Sequence, residues 1–300
     1  KLLMMSIAIG CMVGAPMSPT GGARNAIMIG FLANLGPEYE ISFMQWMVLG
    51  SFYTLFLGIF FAVLLPFLYK PEVDDLSDAV NTLREDLKKH GKMTREQWMV
   101  AGIALFMIIA WITDKDLIAP ILGFPLGLGG VAMTGTVLFM LLGLTSWSDY
   151  EKNISWGVIV LYAGAISLGS VFKSSGAAKW LADSILNSLS NSIDDPSNLR
   201  WFFSVIVSGI MTNLLSNAAT VAILGPIVLE MGGDPIILGM STSIASAFSY
   251  LTIVASPTCM IIHSTGLIRS RDYLKAGWKL FIMSVVLLML ISKYYWPLIQ

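Results

Sequence analysis

Two short groups of residues in this chain have the chemistry to hold a small anion. One is Gly21-Gly22-Ala23-Arg24-Asn25, and the other is Ser216-Asn217-Ala218, inside the run Met211-Thr212-Asn213-Leu214-Leu215-Ser216-Asn217-Ala218-Ala219-Thr220. A guanidinium offers parallel N–H donors that match the edge of a carboxylate or a sulfate. The small residues ahead of Arg24 let backbone and solute approach closely. Ser216 and Asn217 add a hydroxyl and an amide, which bind anion oxygens without carrying charge. Thr212 and Asn213 lie about one turn earlier and are expected in the same cavity. A third polar group, Ser256-Pro257-Thr258, repeats the Ser-Pro-Thr of 18–20. Each group has a plainer alternative. Arg24 could reach a surface or pair with a buried acid, Ser216 and Asn217 could bond to a turn's own backbone, and Thr220 could bond back to its helix.

The elements that carry these residues are membrane helices. Hydrophobic residues make up 56% of the 300 and charged residues 12%, and mean hydropathy is +0.75, far from soluble domains. Uncharged runs recur at 2–23, 41–69, 97–113, 117–148, 153–172, 201–229 and 235–262, and 276–299 carries only Lys279 and Lys293, near its ends. Runs of this length read as bilayer-crossing helices. Their continuity excludes a β-barrel, which would alternate apolar and polar residues. The expected fold class is therefore an all-α polytopic membrane protein with the lipid bilayer as its surroundings. Trp278, Tyr294, Tyr295 and Trp296 read as interfacial belt residues. A net charge of −1 with no isolated basic cluster argues against a nucleic-acid partner. Cys11 and Cys259 cannot define a disulfide framework and read as small apolar filler. The chain starts at Lys1 directly on an apolar segment, and we expect it to be the later part of a longer protein.

The clearest aqueous stretch is 70–95, which holds Lys70, Arg84, Lys88, Lys89, Lys92 and Arg95 and faces the cytoplasm by the positive-inside rule. Leu76, Val80, Leu83 and Leu87 recur there at helical spacing, predicting an amphipathic helix on the membrane surface or, alternatively, a docking helix. Elsewhere the apolar runs are interrupted. Gly14, Pro16, Pro19, Gly21 and Gly22 break the first, Pro257 breaks the run at 235–262, and the polar island at 211–220 breaks the one between them. Polar interruptions of this kind mark the solute site of a carrier, although kinks also serve packing alone.

These residues resemble the divalent anion/sodium symporter family, carriers of dicarboxylates, citrate and sulfate. Residues 215–220 with the following Leu224-Gly225-Pro226 resemble its second re-entrant hairpin, which carries a Ser-Asn-Thr tip. Residues 256–259 through Thr265-Gly266 resemble the break that follows, residues 14–25 resemble the corresponding first break, and 156–159 through 175–177 resemble the span before the hairpin. The likeness covers nearly the whole chain, with the first hairpin falling upstream of Lys1.

The resemblance implies an inverted-repeat transporter with re-entrant hairpins and discontinuous helices. Residues 1–69 would be the end of the first repeat and 70–95 a cytoplasmic linker. Residues 96–300 would be the second repeat, with its hairpin near 201–230 and its broken helix near 235–267. It implies a small anionic substrate at Gly22, Arg24, Asn25, Ser216, Asn217, Ala218, Ser256, Pro257 and Thr258. It implies sodium, the one coupling ion to consider in a chain that needs no cofactor, at oxygens of Ser18, Gly21, Gly22, Asn25, Asn217, Thr220, Ala255 and Thr258. It further implies a homodimer, and the expected location is a bacterial or archaeal inner (plasma) membrane. Ala218 stands where the family has Thr, Ala23-Arg24 where it has Pro-Pro, and Cys259 where it has Asn.

The function expected is secondary active transport of di- or tricarboxylates by alternating access, coupled to sodium or working as exchange. Proton coupling through His263 and transport of sulfate or a metalloid oxyanion are the alternatives. An enzyme is not expected, because His90 and His263 are well separated and no metal cluster is apparent. A non-transporting scaffold or receptor is the remaining rival.

Overall fold

Glycine and proline decide where the apolar runs of this chain become helices and where they stop. The computed structural model describes residues 1–70, 75, 77–189, 196–253 and 256–299, and among these it is helical without a strand. Helix α1, Leu2–Gly14, ends ahead of Pro16 and Pro19, which cannot donate to a helix ladder. Two 3-10 turns, Ala15–Met17 and Pro19–Gly21, lead to α2, Ala23–Ala33. Helix α3, Phe43–Leu68, runs unbroken for 26 residues, about 39 Å at 1.5 Å per residue. Then come α4, Ser77–His90, α5, Arg95–Leu122, with a π-helical turn at Asp114–Ile118, α6, Gly127–Leu141, and α7, Trp147–Asn153. Helices α8, Trp156–Ser174, and α9, Ala177–Leu189, follow. Helix α10 covers 196–211 and is wound as a π-helix over Phe202–Val207. The last four are α11, Asn217–Glu230, α12, Pro235–Ala245, α13, Pro257–Ser264, and α14, Ser270–Ile299.

Four of these helices, α3, α5, α8 and α14, are long and apolar enough to cross a membrane. The other apolar runs are shorter helices, among them α1, α2, α6, α11 and α12. The runs at 2–23, 201–229 and 235–262 are therefore not single spans. A hydrocarbon core of ~30 Å needs about 20 helical residues, and each of these runs is cut before reaching that.

Contacts divide the chain into two bodies. One comprises 1–41, 45–70 and 157–300, and the other 42–44 and 71–156. In the first body, α12 is buried on every side from Ile237 to Ala245, and burial continues through Tyr250. Phe248 stacks near Tyr53 and Tyr250, each at 6.1 Å between ring centroids, and meets Phe281 edge-on at 6.0 Å. Trp296 departs from the belt expectation. It is fully buried and its Nε1 donates to the Leu49 carbonyl at 3.0 Å, so it anchors the core, whereas Trp278 and Tyr294 are exposed.

In the second body, Asp114 is buried and its carboxylate accepts from Leu126 N at 2.9 Å and Gly127 N at 2.8 Å, closing the start of α6. Helix α4 exposes Val80, Leu83 and Leu87, and Leu76 lies outside the described residues. The start of α7 is a capping box. The Ser146 hydroxyl and backbone N–H donate to Asp149 and hold its carboxyl below the usual value. A depressed carboxyl adds stability above its ordinary pKa and loses it as pH falls through the lowered one. The protection of α7 amides, relative to their intrinsic exchange at each pH, is therefore expected to be highest at neutral pH and to fall on acidification through that range. Asn replacing Asp149 should abolish the pH dependence.

Candidate functional site

Three helices begin at one cavity. It has a volume of about 450 Å3 and lies wholly within the first body. Helix α2 presents Gly21, Gly22, Ala23 and Arg24, α11 presents Ser216, Asn217 and Ala218, and α13 presents Ser256, Pro257 and Thr258. The structure thus brings together residues from three distant parts of the sequence. No acidic residue lines the cavity among the described residues. Helix N-termini carry unpaired N–H groups and partial positive charge, which favour anions.

Arg24 is the second residue of α2 and is only 5% exposed. Its Nε and Nη2 atoms are buried with no hydrogen-bond partner among the described residues. The groups close enough to feel its charge are Tyr250, Tyr53 and Tyr162, not a carboxylate. Both plain alternatives for this residue fall away, because it does not reach a surface and pairs with no acid among the described residues. A buried cation without a partner is costly, and a bound anion lowers that cost.

The glycines beside it are there for closeness. A Cβ on Gly21 would sit 2.0 Å from the Ala15 carbonyl oxygen, which as backbone cannot move aside cheaply. A Cβ on Gly22 would meet Arg24 Nη1 at 2.9 Å, the far end of a flexible side chain. Gly21→Ala is therefore expected to cost roughly 3 kcal/mol, seen as a lower melting temperature. Gly22→Ala should leave melting nearly unchanged while weakening anion binding. Equal melting losses for the two would contradict this account.

Not every expected residue faces the cavity. Asn25 is fully buried and its Nδ2 donates to the carbonyls of Ser18 at 2.8 Å and Ala15 at 3.2 Å, while its Oδ1 accepts from the Ser243 hydroxyl at 2.9 Å. It therefore braces the break at 14–22. Ser18 Oγ pairs with Thr20 Oγ1 at 2.9 Å within the same break. Thr220 is buried and donates back to the Ser216 carbonyl at 3.2 Å. Ala255 lies outside the described residues.

Thr212 and Asn213, expected in the cavity, do not line it. Thr212 Oγ1 lies 2.8 Å from Asn217 Oδ1 and 2.6 Å from the Ser246 carbonyl oxygen. Asn213 Nδ2 donates to the Gly209 and Phe248 carbonyls at 2.8 and 2.9 Å, and its Oδ1 accepts from Leu251 N at 2.9 Å. These two residues join the turn between α10 and α11 to the segment after α12. Ser216 caps α11 by accepting from Ala219 N at 3.2 Å.

The cavity also has lining residues that sequence reasoning passed over, namely Cys11, Met12, Val158, Leu161 and Tyr162. Nothing in the pattern of α1 or α8 separates them from lipid-facing residues. Cys11 is exposed, not filler, whereas Cys259 is buried with its Sγ 3.8 Å from Met12 Sδ. His263 Nδ1 lies 2.8 Å from the Ile268 carbonyl oxygen, a packed position outside the cavity. Among the described residues no cluster of His, Cys, Asp or Glu could hold a metal ion.

Four helices of membrane length, in a chain whose described residues are helical without a strand, define an all-helical integral membrane protein. The chain belongs to the sodium:sulfate symporter transmembrane region family, which matches residues 1–300. That is the divalent anion/sodium symporter family expected from the motifs, a family of transporters and not of enzymes. The chain is similar to a sodium-dependent dicarboxylate transporter, SdcS, of Staphylococcus aureus (strain USA300), with 25% identity over 100% of this chain and 59% of the relative. It is similar to an uncharacterized transporter of Methanocaldococcus jannaschii at 25%, covering 98% and 64%. A membrane protein of Cupriavidus necator is 21% identical over 98% and 58%. The chain thus spans about three-fifths of the length of these curated relatives.

Proposed function

We propose that this chain forms the substrate-holding part of a secondary active transporter for small anions, di- or tricarboxylates, working by alternating access. One observation carries the reading. Three helix N-termini and the unpartnered, buried Arg24 converge on a single cavity that no described acid lines. Similarity to a dicarboxylate transporter supports the carboxylate class. In this reading Arg24 binds a carboxylate, Ser216, Asn217 and the backbone at Ala218 bind its other oxygens, and Gly22, Ser256, Pro257 and Thr258 shape the cavity. Asn25 acts as a positioning residue.

The helix-turn-helix of α10 and α11 is a re-entrant hairpin, and α1/α2 and α12/α13 are the discontinuous helices of two inverted repeats. Residues 1–69 close the first repeat, 70–95 are the cytoplasmic linker and 96–300 are the second repeat. The transporter works as a homodimer in a bacterial or archaeal inner membrane.

The coupling ion follows from the same residue. A sodium ion at the oxygens of Ser18, Gly21, Gly22 or Asn25 would face the Arg24 guanidinium, and hard cations avoid like charge. Arg24 therefore takes the place of a cation at the first break and favours exchange. Any sodium would be held at the second, by Asn217, Thr220, Ala255 and Thr258.

The test uses the full-length protein in proteoliposomes. Uptake of labelled succinate, citrate and sulfate is followed with and without a sodium gradient and with counter-substrate inside. Sodium-independent exchange of a carboxylate is expected. Absence of uptake for all three anions would refute the reading.

A further inference from the structure

We propose that this site selects a dicarboxylate with an apolar, alkyl- or aryl-bearing carbon body over sulfate and over hydroxylated tricarboxylates. The inference rests on the anion-carrier reading and narrows its substrate class. It comes from the part of the cavity that the carboxylate does not explain. Helix α8 contributes Val158, Leu161 and Tyr162, and α1 adds Met12. The α8 residues stand at i, i+3 and i+4 and so share one face of their helix. This wall carries no charge, and its one polar group is the Tyr162 hydroxyl. Arg24 is the one charged side chain lining the cavity among the described residues.

Helix α8 approaches α2 closely at two glycines. A Cβ on Gly169 of α8 would lie 2.3 Å from the Phe31 ring, and one on Gly30 of α2 would lie 2.8 Å from Ile166 Cδ1. Helices α8 and α2 therefore meet at these glycines, and Val158 and Leu161, two to three turns earlier, are 43% and 54% exposed, leaving apolar surface for a ligand to cover. The cavity thus combines a polar end, made of helix starts and one guanidinium, with an apolar wall.

A solute that is oxygen on every side fits such a cavity poorly. Sulfate, or the hydroxyl and third carboxylate of citrate, would place polar atoms against Val158 and Leu161, where no partner replaces the lost water. A methyl or phenyl substituent on a dicarboxylate gains there instead. Burial of each added methyl carbon is worth about a fourfold gain in affinity.

The experiment is competition against labelled succinate uptake by the full-length protein in proteoliposomes, with the uptake of labelled citrate and sulfate measured alongside. The competitors are succinate, methylsuccinate, 2,2-dimethylsuccinate, phenylsuccinate, citrate and sulfate. Half-inhibition should fall about fourfold with each methyl, with phenylsuccinate stronger still and citrate and sulfate weaker than succinate. Leu161→Asn and the isosteric Val158→Thr should each compress the ratio of dimethylsuccinate to succinate toward one, a within-variant ratio that does not depend on how much protein folds. A flat or reversed methyl series in the unaltered protein overturns this inference while leaving the carrier reading intact. Absence of uptake for succinate, citrate and sulfate alike overturns both.

Discussion

Replacing Arg24 with alanine is expected to weaken carboxylate binding by on the order of 100-fold while leaving the protein at least as stable as before. The first effect follows from losing a charged hydrogen-bonding partner, worth about 2–3 kcal/mol. The second follows from burial. Arg24 is 5% exposed and two of its nitrogens have no partner, so the empty protein carries an uncompensated cation. Removing it relieves that cost, and melting temperature without substrate should hold or rise. A residue kept for structure would show the opposite sign. Arg24→Lys separates two roles, because lysine keeps the charge but not the planar fork. If the residue served only as a fixed cation, the lysine variant would bind normally. If it recognises the carboxylate edge, binding should still fall about tenfold. Strict sodium dependence with unchanged affinity in Arg24→Ala would remove Arg24 from the site altogether.

Asn213→Ala is expected to be the most destabilising of the polar substitutions. Its amide donates to the Gly209 and Phe248 carbonyls and accepts from Leu251 N, all in a buried setting. Alanine would leave the Leu251 N–H without this partner, costing about 1–3 kcal/mol, and take one of two donors from the Phe248 carbonyl, which keeps Tyr250 N at 2.8 Å. A total loss of about 2–3 kcal/mol should appear as a clear drop in melting temperature of the detergent-solubilised protein. Asn25→Ala should do the same at the other break, since it leaves the Ser18 and Ala15 carbonyls and the Ser243 hydroxyl without its amide. Melting temperatures unchanged in both variants would show that the breaks hold their shape without these side chains.

Much of this architecture was legible in the sequence, for identifiable reasons. The length of 43–68 and the prolines at 16, 19 and 257 act locally, so hydropathy and backbone chemistry reveal them directly. Arg24 was conspicuous because a cation inside an apolar run has so few structural explanations. What was not legible depended on which way a side chain turns. Thr212 and Ser216 are similar in type and four residues apart. Yet Thr212 turns toward the Ser246 carbonyl and Ser216 lines the cavity. Asn25 and Asn217 raise the same difficulty, since the amide of the first is spent on backbone while the second lines the cavity. The wall from α8 was hidden for another reason. Val158 and Leu161 look the same in sequence whether they face lipid or a solute. Trp296 misled because aromatic residues near a span's end usually sit at the interface. Here the indole N–H has the Leu49 carbonyl as its partner inside the protein.

One short segment, 243–252, ties both halves of the site together. Ser243 holds Asn25, the Ser246 carbonyl accepts from Thr212, and the Phe248 carbonyl and Leu251 N–H hold Asn213. The two breaks are thus kinematically linked. Shearing one past the other would rupture hydrogen bonds at both ends of the segment at once, in surroundings where no water replaces them. The mouth of the site is therefore not free to widen by bending one broken helix away from the other. In the proposed carrier, a displacement that exposes the site is therefore expected to carry both helix starts along together.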